Sequence, residues 1–280
     1  MAALALDRVA IAEVLVRKRR HLSHDLRAFA GRCYATARAD PRQANSVEHV
    51  IFGPSGDFKG PMALTPLKLV CFGPPCARLV RGKTPPELCW HKHLALLTYL
   101  ALSPNHSRTR DHLLGLLWAE QPERAARKAL NTALNRLRDA LGEARLRSEG
   151  DTLTLSDDRL DVDVLRFLAH AESEPQAAVP LLRGDFLEGF HVKDAPEFED
   201  WMARERERYH ALAAAALVAA GERHVTTEFA KAADLARRAL ALAPRSEPAV
   251  RLLMRAGALA GDLATAVGAY REFAQRLKTE

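Results

Sequence analysis

The chain has 280 residues, of which 48% are hydrophobic and 27% are charged, as is typical of globular proteins and not of disordered ones. No run of about 18 apolar residues occurs, so no membrane-spanning helix is predicted. Asp7 and Glu13 interrupt the apolar start of the chain, which therefore does not resemble a secretory signal. We expect a cytoplasmic protein, and the four scattered cysteines agree with a reducing compartment.

Basic and acidic residues are segregated along the chain, although the formal net charge is only +6. Positions 108–147 hold nine Arg or Lys against five Asp or Glu, whereas positions 156–205 hold five against thirteen. A basic block followed by an acidic block predicts that the first part contacts a polyanion and that the second does not.

The first 61 residues show only weak patterns. A helix over 8–38 is predicted, and the segment that follows it up to position 61 is rich in turn-forming residues. We therefore expect an N-terminal extension (1–61), helical or disordered, and not a packed domain. A second interpretation is that translation starts at Met62, where a different kind of sequence begins.

Short apolar runs separated by turn residues follow Met62. We predict three strands in LKLVCFG (67–73), CARLV (76–80) and ELCW (87–90). The same stretch contains residues that could bind zinc, namely Cys71, Cys76, Cys89, His91 and His93. Their spacing lacks a C-x-x-C pair, so the sequence favours ordinary buried cysteines and no metal or other cofactor.

Three helices and a hairpin come next. HKHLALLTYLAL (91–102) predicts the first helix, and SRTRDHLLGLLW (107–118) predicts the second, with Ser107 as its cap. The third begins near Pro122 and ends before Gly142, with leucines at 130, 134, 137 and 141 forming one buried stripe. ARLRSEGDTLTLS (144–156) predicts a hairpin that turns at Glu149, Gly150 and Asp151.

Strands, three helices and a hairpin, in this order, predict an α+β winged-helix domain over 62–157. In such a domain the third helix, 122–141, enters the DNA major groove. Asn and Arg can each make paired hydrogen bonds to base edges. The candidates for base readout on this helix are Arg127, Lys128, Asn131, Thr132 and Asn135.

Six further arginines are candidates for phosphate contacts, which supply affinity without sequence information. They are Arg108, Arg110, Arg124, Arg138, Arg145 and Arg147. The alternative is that these cations serve only solubility and that the third helix shows an ordinary solvated face. No spacing typical of a phosphate loop or of a catalytic nucleophile and base occurs, so we predict that the protein is not an enzyme.

From about 158 to 280 the sequence predicts an all-α domain of tetratricopeptide-like helical repeats. ARRALALAP and GDLATAVGAYREF carry the repeat pattern, and such repeats offer surfaces for protein partners. Trp201 is predicted to anchor the core of a long helix. The acids beside it (Glu197, Glu199 and Asp200) suggest a contact with the basic half of the chain.

Taken together, these motifs resemble the SARP-type antibiotic-regulatory family, whose members join an OmpR-like winged helix to a bacterial transcriptional activator domain. HKHLALLTYLAL and ARKALNTALNRLRDALG resemble the DNA-binding domain, while LLRGDFLEGF, EFEDWMARERERY and the repeats resemble the activator domain. The resemblance covers about 67–277. Residues 1–61 have no counterpart in short members of the family, and the family pattern suggests that the activator domain would continue beyond position 280.

The resemblance implies transcriptional activation, often of secondary-metabolite gene clusters. It also implies binding to double-stranded DNA at direct repeats near promoters, as a homodimer, and contact with RNA polymerase. An alternative function is a helical-repeat scaffold for protein contacts that does not read DNA. A steep dependence of DNA binding on salt would separate the two, because each neutralised phosphate releases counterions.

Overall fold

A computed structural model describes residues 64–278. The helix predicted over 8–38 lies outside them. The described part of the chain begins with a three-stranded sheet of β1 (Leu67–Val70), β2 (Cys76–Leu79) and β6 (Leu160–Val162), in the order β2-β1-β6. β1 pairs antiparallel with β2 and parallel with β6. The predicted strands at 67–73 and 76–80 are therefore present.

Three helices and a second sheet follow the first hairpin. The helices are α1 (His91–Leu102), α2 (Arg110–Trp118) and α3 (Glu123–Leu141). The second sheet contains β3 (Ser107–Thr109), β4 (Leu146–Glu149) and β5 (Thr152–Leu155), in the order β3-β5-β4. β4 and β5 form the hairpin, with Gly150 at φ +57° in its turn. This is the predicted winged-helix arrangement.

Two local predictions are wrong. ELCW (87–90) is not a strand, because Pro86–Cys89 forms a 3-10 helix. Pro85, just before this 3-10 helix, and Pro86, its first residue, lack the N–H groups that a strand would need there. Ser107 does not cap α2, because it pairs with Thr154 across the sheet. The cap is Thr109, whose hydroxyl oxygen accepts a hydrogen bond of 3.3 Å from the backbone N–H of His112.

The remainder is helical, apart from its connecting segments, and supports the predicted repeats. It contains α4 (Asp163–His170), α5 (Pro175–Ala178), α6 (Pro196–His224), α7 (Phe229–Leu242), α8 (Glu247–Leu259) and α9 (Leu263–Lys278). From α7 onward each helix packs against the one before it, so successive helices bury their apolar faces by stacking. The fold is thus a winged-helix α+β region followed by an all-α region, as predicted, except that strand β6 lies within the range 158–280 that was predicted to be all-α. No helix in the range 64–278 has the length and apolar character needed to cross a membrane.

The winged-helix and helical regions share one continuous hydrophobic core. The Trp201 ring on α6 packs edge-on against the Tyr99 ring on α1, with centroids 4.8 Å apart. Phe72, just after β1, packs edge-on against Phe167 on α4 and Tyr209 on α6. The half-buried Trp201 therefore packs against the core, as predicted, and its partners include the first helix of the winged-helix region.

One polar contact fixes the same junction, and a second lies within the helical region. The buried Asp163 carboxylate, at the start of α4, accepts hydrogen bonds from the backbone N–H groups of Cys71 and Phe72. Glu199 accepts a hydrogen bond of 2.7 Å from the backbone N–H of Val192, and pairs with His191. These partners of Glu199 lie in the helical region, so its observed contacts are not with the basic helix α3.

His93, buried at the start of α1, makes folding stability depend on pH. Its Nδ1 lies 2.9 Å from the carbonyl oxygen of Glu87, and burial, together with the charge of Arg136, lowers its pKa below the ordinary value of 6.5. The unfolded chain binds a proton at this histidine more readily, so His93 makes the protein lose stability as pH falls below about 6.5. We expect His93→Gln to reduce the difference between urea midpoints measured at pH 7.5 and 5.5. An unchanged difference would contradict this assignment.

Candidate nucleic-acid interface

Helix α3 has one buried face and one exposed face, as its sequence predicts. The leucines at 130, 134, 137 and 141 are buried, together with Ala126 and Ala133. The opposite face is exposed and contains all five predicted base-reading residues: Arg127, Lys128, Asn131, Thr132 and Asn135. Arg124, Lys128, Asn131 and Asn135 follow the spacing i, i+4, i+7, i+11, so they line up along the centre of this face.

The hydrogen bonds of the five candidates divide them into two groups. Arg127 pairs with Glu123 on its own helix and with Asp111 on α2, each at 3.0 Å, and the hydrogen bond that Arg127 donates to Glu123 raises the pKa of the guanidinium. The Thr132 hydroxyl donates to the carbonyl oxygen of Lys128. Within residues 64–278, neither the Lys128 ammonium nor the Asn135 amide has a hydrogen-bonding partner, so both are available to a ligand.

Asn131 lies at the meeting point of α2, α3 and the hairpin. Arg110, the first residue of α2, donates one hydrogen bond of 2.8 Å to the Asn131 side-chain oxygen. It donates another, of 3.2 Å, to the Ser148 hydroxyl on β4. Arg138 on α3 donates a hydrogen bond of 2.6 Å to the same hydroxyl and one of 2.9 Å to the carbonyl oxygen of Leu146. This network orients the Asn131 amide and joins the hairpin to α3. The sequence predicted Arg110 as a phosphate contact, with solubility as the alternative, and Arg138 as binding phosphate or a nearby acid. Such an acid is present, since Glu143 lies 3.7 Å from Arg138 Nε.

The sequence predicted Arg145 as a phosphate contact, and its burial contradicts this prediction, because the residue is fully inaccessible to solvent. Its guanidinium donates hydrogen bonds to the backbone carbonyl oxygens of Ser156, Asp158 and Thr65, the last at 2.7 Å. Burial also lowers the pKa of the group. Arg145 therefore stabilises the base of the hairpin and the segment that leads into β1.

The other phosphate candidates occupy different environments. Arg124 on α3 and Arg147 on β4 are exposed, as phosphate contacts require. Arg108 is half-buried, with its guanidinium 5.7 Å from the centre of the Tyr99 ring. Sequence reasoning missed Ser148, whose role depends on which face of the hairpin it occupies. The only signal for it was its place two residues before the turn.

The cysteines and histidines considered as zinc ligands lie in different environments and do not form one cluster. Cys71 is buried, which raises its pKa, and Cys89 is exposed. His91 Nδ1 lies 2.8 Å from the carbonyl oxygen of His191, and His93 bonds to Glu87. Across residues 64–278, no group of three His, Cys, Asp or Glu side chains is arranged to hold a metal ion.

One solved structure with a similar fold is Mycobacterium tuberculosis EmbR in complex with a low affinity phosphopeptide. It is 20% identical, with a TM-score of 0.57, and the similarity covers 77% of this chain and 61% of that one. This chain thus spans about three fifths of the length of the EmbR chain. At this identity the likeness concerns the fold alone. The comparison with curated proteins found no match.

Two family models match in sequence. Residues 88–152 match the family described as transcriptional regulatory protein, C terminal, and this range contains α1 to α3 and most of the second sheet. Residues 166–280 match the bacterial transcriptional activator domain. The two matches follow one another in the order in which the structure places the winged-helix and helical regions. The chain therefore contains the two domains that SARP-type bacterial transcriptional regulators combine, an OmpR-like winged helix and a bacterial transcriptional activator domain.

Proposed function

We propose that the protein binds specific DNA sequences through α3 and activates transcription of bacterial gene clusters of the secondary-metabolite type. The observation that carries this proposal is the exposed polar face of α3, which projects Lys128, Asn131 and Asn135 beside the hairpin. Amide and cationic side chains in this arrangement suit base edges in the major groove. Residues 62–157 would bind DNA and residues 158–280 would contact proteins.

In this proposal the exposed arginines around α3 hold the duplex by its phosphates. Arg124 is near the start of α3 and Arg147 is on the hairpin, so the two would contact the DNA backbone at separate places. Arg110 and Arg138 would have two roles, since they hold Asn131 and the hairpin in place and would also contact phosphates. Because phosphate contacts are independent of sequence, these residues would set affinity, and the residues at the centre of α3 would set preference.

The family resemblance extends the proposal to promoters. We expect a homodimer bound to direct repeats near promoters, in contact with RNA polymerase through the helical region. A footprinting experiment on DNA from the neighbourhood of its gene should show protection of repeated half-sites, and in vitro transcription with RNA polymerase should rise when protein is added. Protection without repeats, or transcription that falls, would contradict this part of the proposal.

Arg110 provides a test of the site itself. Arg110→Gln removes the guanidinium that bonds both Asn131 and Ser148, so the Asn131 amide loses its support. We expect the preference for specific over scrambled DNA to fall about tenfold, besides a uniform loss from one missing cation. Arg124→Gln is the matched control, since it should lower binding to both DNAs equally. If Arg110→Gln, like Arg124→Gln, lowered binding to specific and to scrambled DNA by the same factor, Arg110 would contact phosphate only.

A protein-interaction scaffold remains the second candidate, and one observation favours it. Leu259 on α8 and Leu263, Val267 and Tyr270 on α9 are exposed apolar side chains. Leu263, Val267 and Tyr270 follow the spacing i, i+4, i+7 on one face of α9, so they form a continuous stripe. Exposed apolar patches often mark protein contacts. The scaffold function predicts no salt-dependent DNA binding.

A further inference from the structure

A cavity of about 310 Å³ lies among the segment 182–186, α6 and α7, well away from the exposed face of α3. Its walls are mainly apolar. Phe72, Phe186 and Tyr209 lie beneath one part, and each of these residues is almost fully buried. Leu182, Leu217 and Leu242 line another part. A volume near 300 Å³ with mostly apolar walls is at the lower end of the range for small-molecule sites.

The polar groups of the cavity are mostly basic. Arg183, in the segment 182–186, and Arg238, on α7, both line it and are exposed. The acid that lines it, Asp185, is engaged by His210, with Oδ1 and Nε2 2.9 Å apart. Within residues 64–278, the Arg238 guanidinium makes no hydrogen bond or ion pair. An unpaired guanidinium beside an apolar wall is a suitable partner for a carboxylate, sulfonate or phosphate.

We propose that this cavity binds a small amphipathic anion, with its apolar body against Leu182 and Leu242, above the buried ring of Phe186, and its anionic head against the exposed Arg238 and Arg183. The assignment is independent of DNA binding, because none of these residues lies on α3 or the hairpin. Phe72 follows β1 in the winged-helix region, whereas the other residues belong to the helical region. The cavity therefore lies beside the core that the two regions share.

The test uses the full chain and the fluorescent anion 8-anilinonaphthalene-1-sulfonate, whose aromatic body and sulfonate match the two parts of the cavity. We expect saturable binding at one site. Ala241→Trp fills the mouth of the cavity from an exposed position on α7 and should weaken binding about tenfold or more. Ala230→Trp is the matched control, since it places the same side chain on an exposed position of the same helix away from the cavity. It should leave binding unchanged.

The charge of the head group is tested separately. Arg238→Gln should weaken binding of the dye about tenfold, because a charge-assisted hydrogen bond is lost. Decanoate should displace the dye, whereas decyltrimethylammonium, with the same chain and the opposite charge, should not. Equal displacement by the two would overturn the anion assignment.

The exposed stripe on α9 is the other surface where the dye could bind. Val267→Asp should leave the fluorescence unchanged if the dye occupies the cavity. Loss of the signal in Val267→Asp, with no effect of Ala241→Trp or Arg238→Gln, would overturn the site. DNA binding by each variant, measured without dye, separates this outcome from a failure of the proposed function, since none of the four substitutions touches the face of α3.

Discussion

Asn131→Ala is expected to remove most of the protein's preference for its specific DNA while leaving non-specific binding nearly unchanged. Asn131 lies at the centre of the exposed face of α3. Its amide is held in one orientation because Arg110 donates a hydrogen bond of 2.8 Å to its side-chain oxygen. An oriented amide can read an adenine edge, and each good paired contact of this kind contributes about 1–3 kcal/mol of discrimination. That range corresponds to a loss of about 5-fold to 150-fold in the specificity ratio.

The measurement is a competition titration of one labelled specific fragment against unlabelled specific and scrambled DNA. Asp139→Ala serves as a control on the same helix, since Asp139 is exposed and outside the set of candidate residues. It should change binding to both DNAs by the same factor, because removal of a negative charge acts on phosphates without regard to sequence. An Asn131→Ala protein that keeps the full specificity ratio would mean that α3 does not read bases through this amide.

The second large effect concerns two arginines that are two residues apart. Arg145→Met is expected to lower the free energy of unfolding by about 3–5 kcal/mol, because it leaves buried carbonyl oxygens without their charged donor. These oxygens belong to Thr65, Ser156 and Asp158. Arg147→Met should leave that free energy nearly unchanged, since Arg147 is exposed on β4. Urea unfolding followed by circular dichroism measures both.

In DNA binding the order of the two effects should be reversed, so that the change at Arg147 matters and the change at Arg145 does not. Arg147→Met is expected to reduce the salt slope of DNA binding by about one unit, as for the loss of one phosphate contact. Folded Arg145→Met protein, measured at low temperature, should keep the slope of the unchanged chain. A reduced slope for Arg145→Met with unchanged stability would restore the phosphate role that the sequence predicted and would contradict its structural role.

Local periodicity accounts for the features that the sequence predicted well. The stripe of leucines on α3 requires only the helical repeat, and it fixes which residues face outward, so Lys128 and Asn135 were predicted to lie on the exposed face. The bounds of α1 could likewise be read from its apolar run and the residues that flank it. The order of helices and hairpin then indicated the winged-helix region.

Contacts between distant segments account for what the sequence could not predict. Arg145 resembles any basic residue of a hairpin, and its burial depends on Thr65, which is 80 positions away. The shared core has the same origin, since Trp201 meets Tyr99 only after α6 packs against the winged-helix region. The support of Asn131 by Arg110 depends on how α2 crosses α3. Composition and spacing contain no signal for these contacts.

The dependence of DNA binding on salt tests the central claim most directly. Affinity for the specific fragment should be measured at several salt concentrations with the full chain. Five arginines remain as phosphate candidates once Arg145 is excluded, namely Arg108, Arg110, Arg124, Arg138 and Arg147. The logarithm of the binding constant should therefore fall linearly with the logarithm of the salt concentration, with a slope of about −3 to −5 for each bound protomer. Absence of binding at low salt, or a slope near zero, would contradict a DNA-binding regulator and would favour the scaffold.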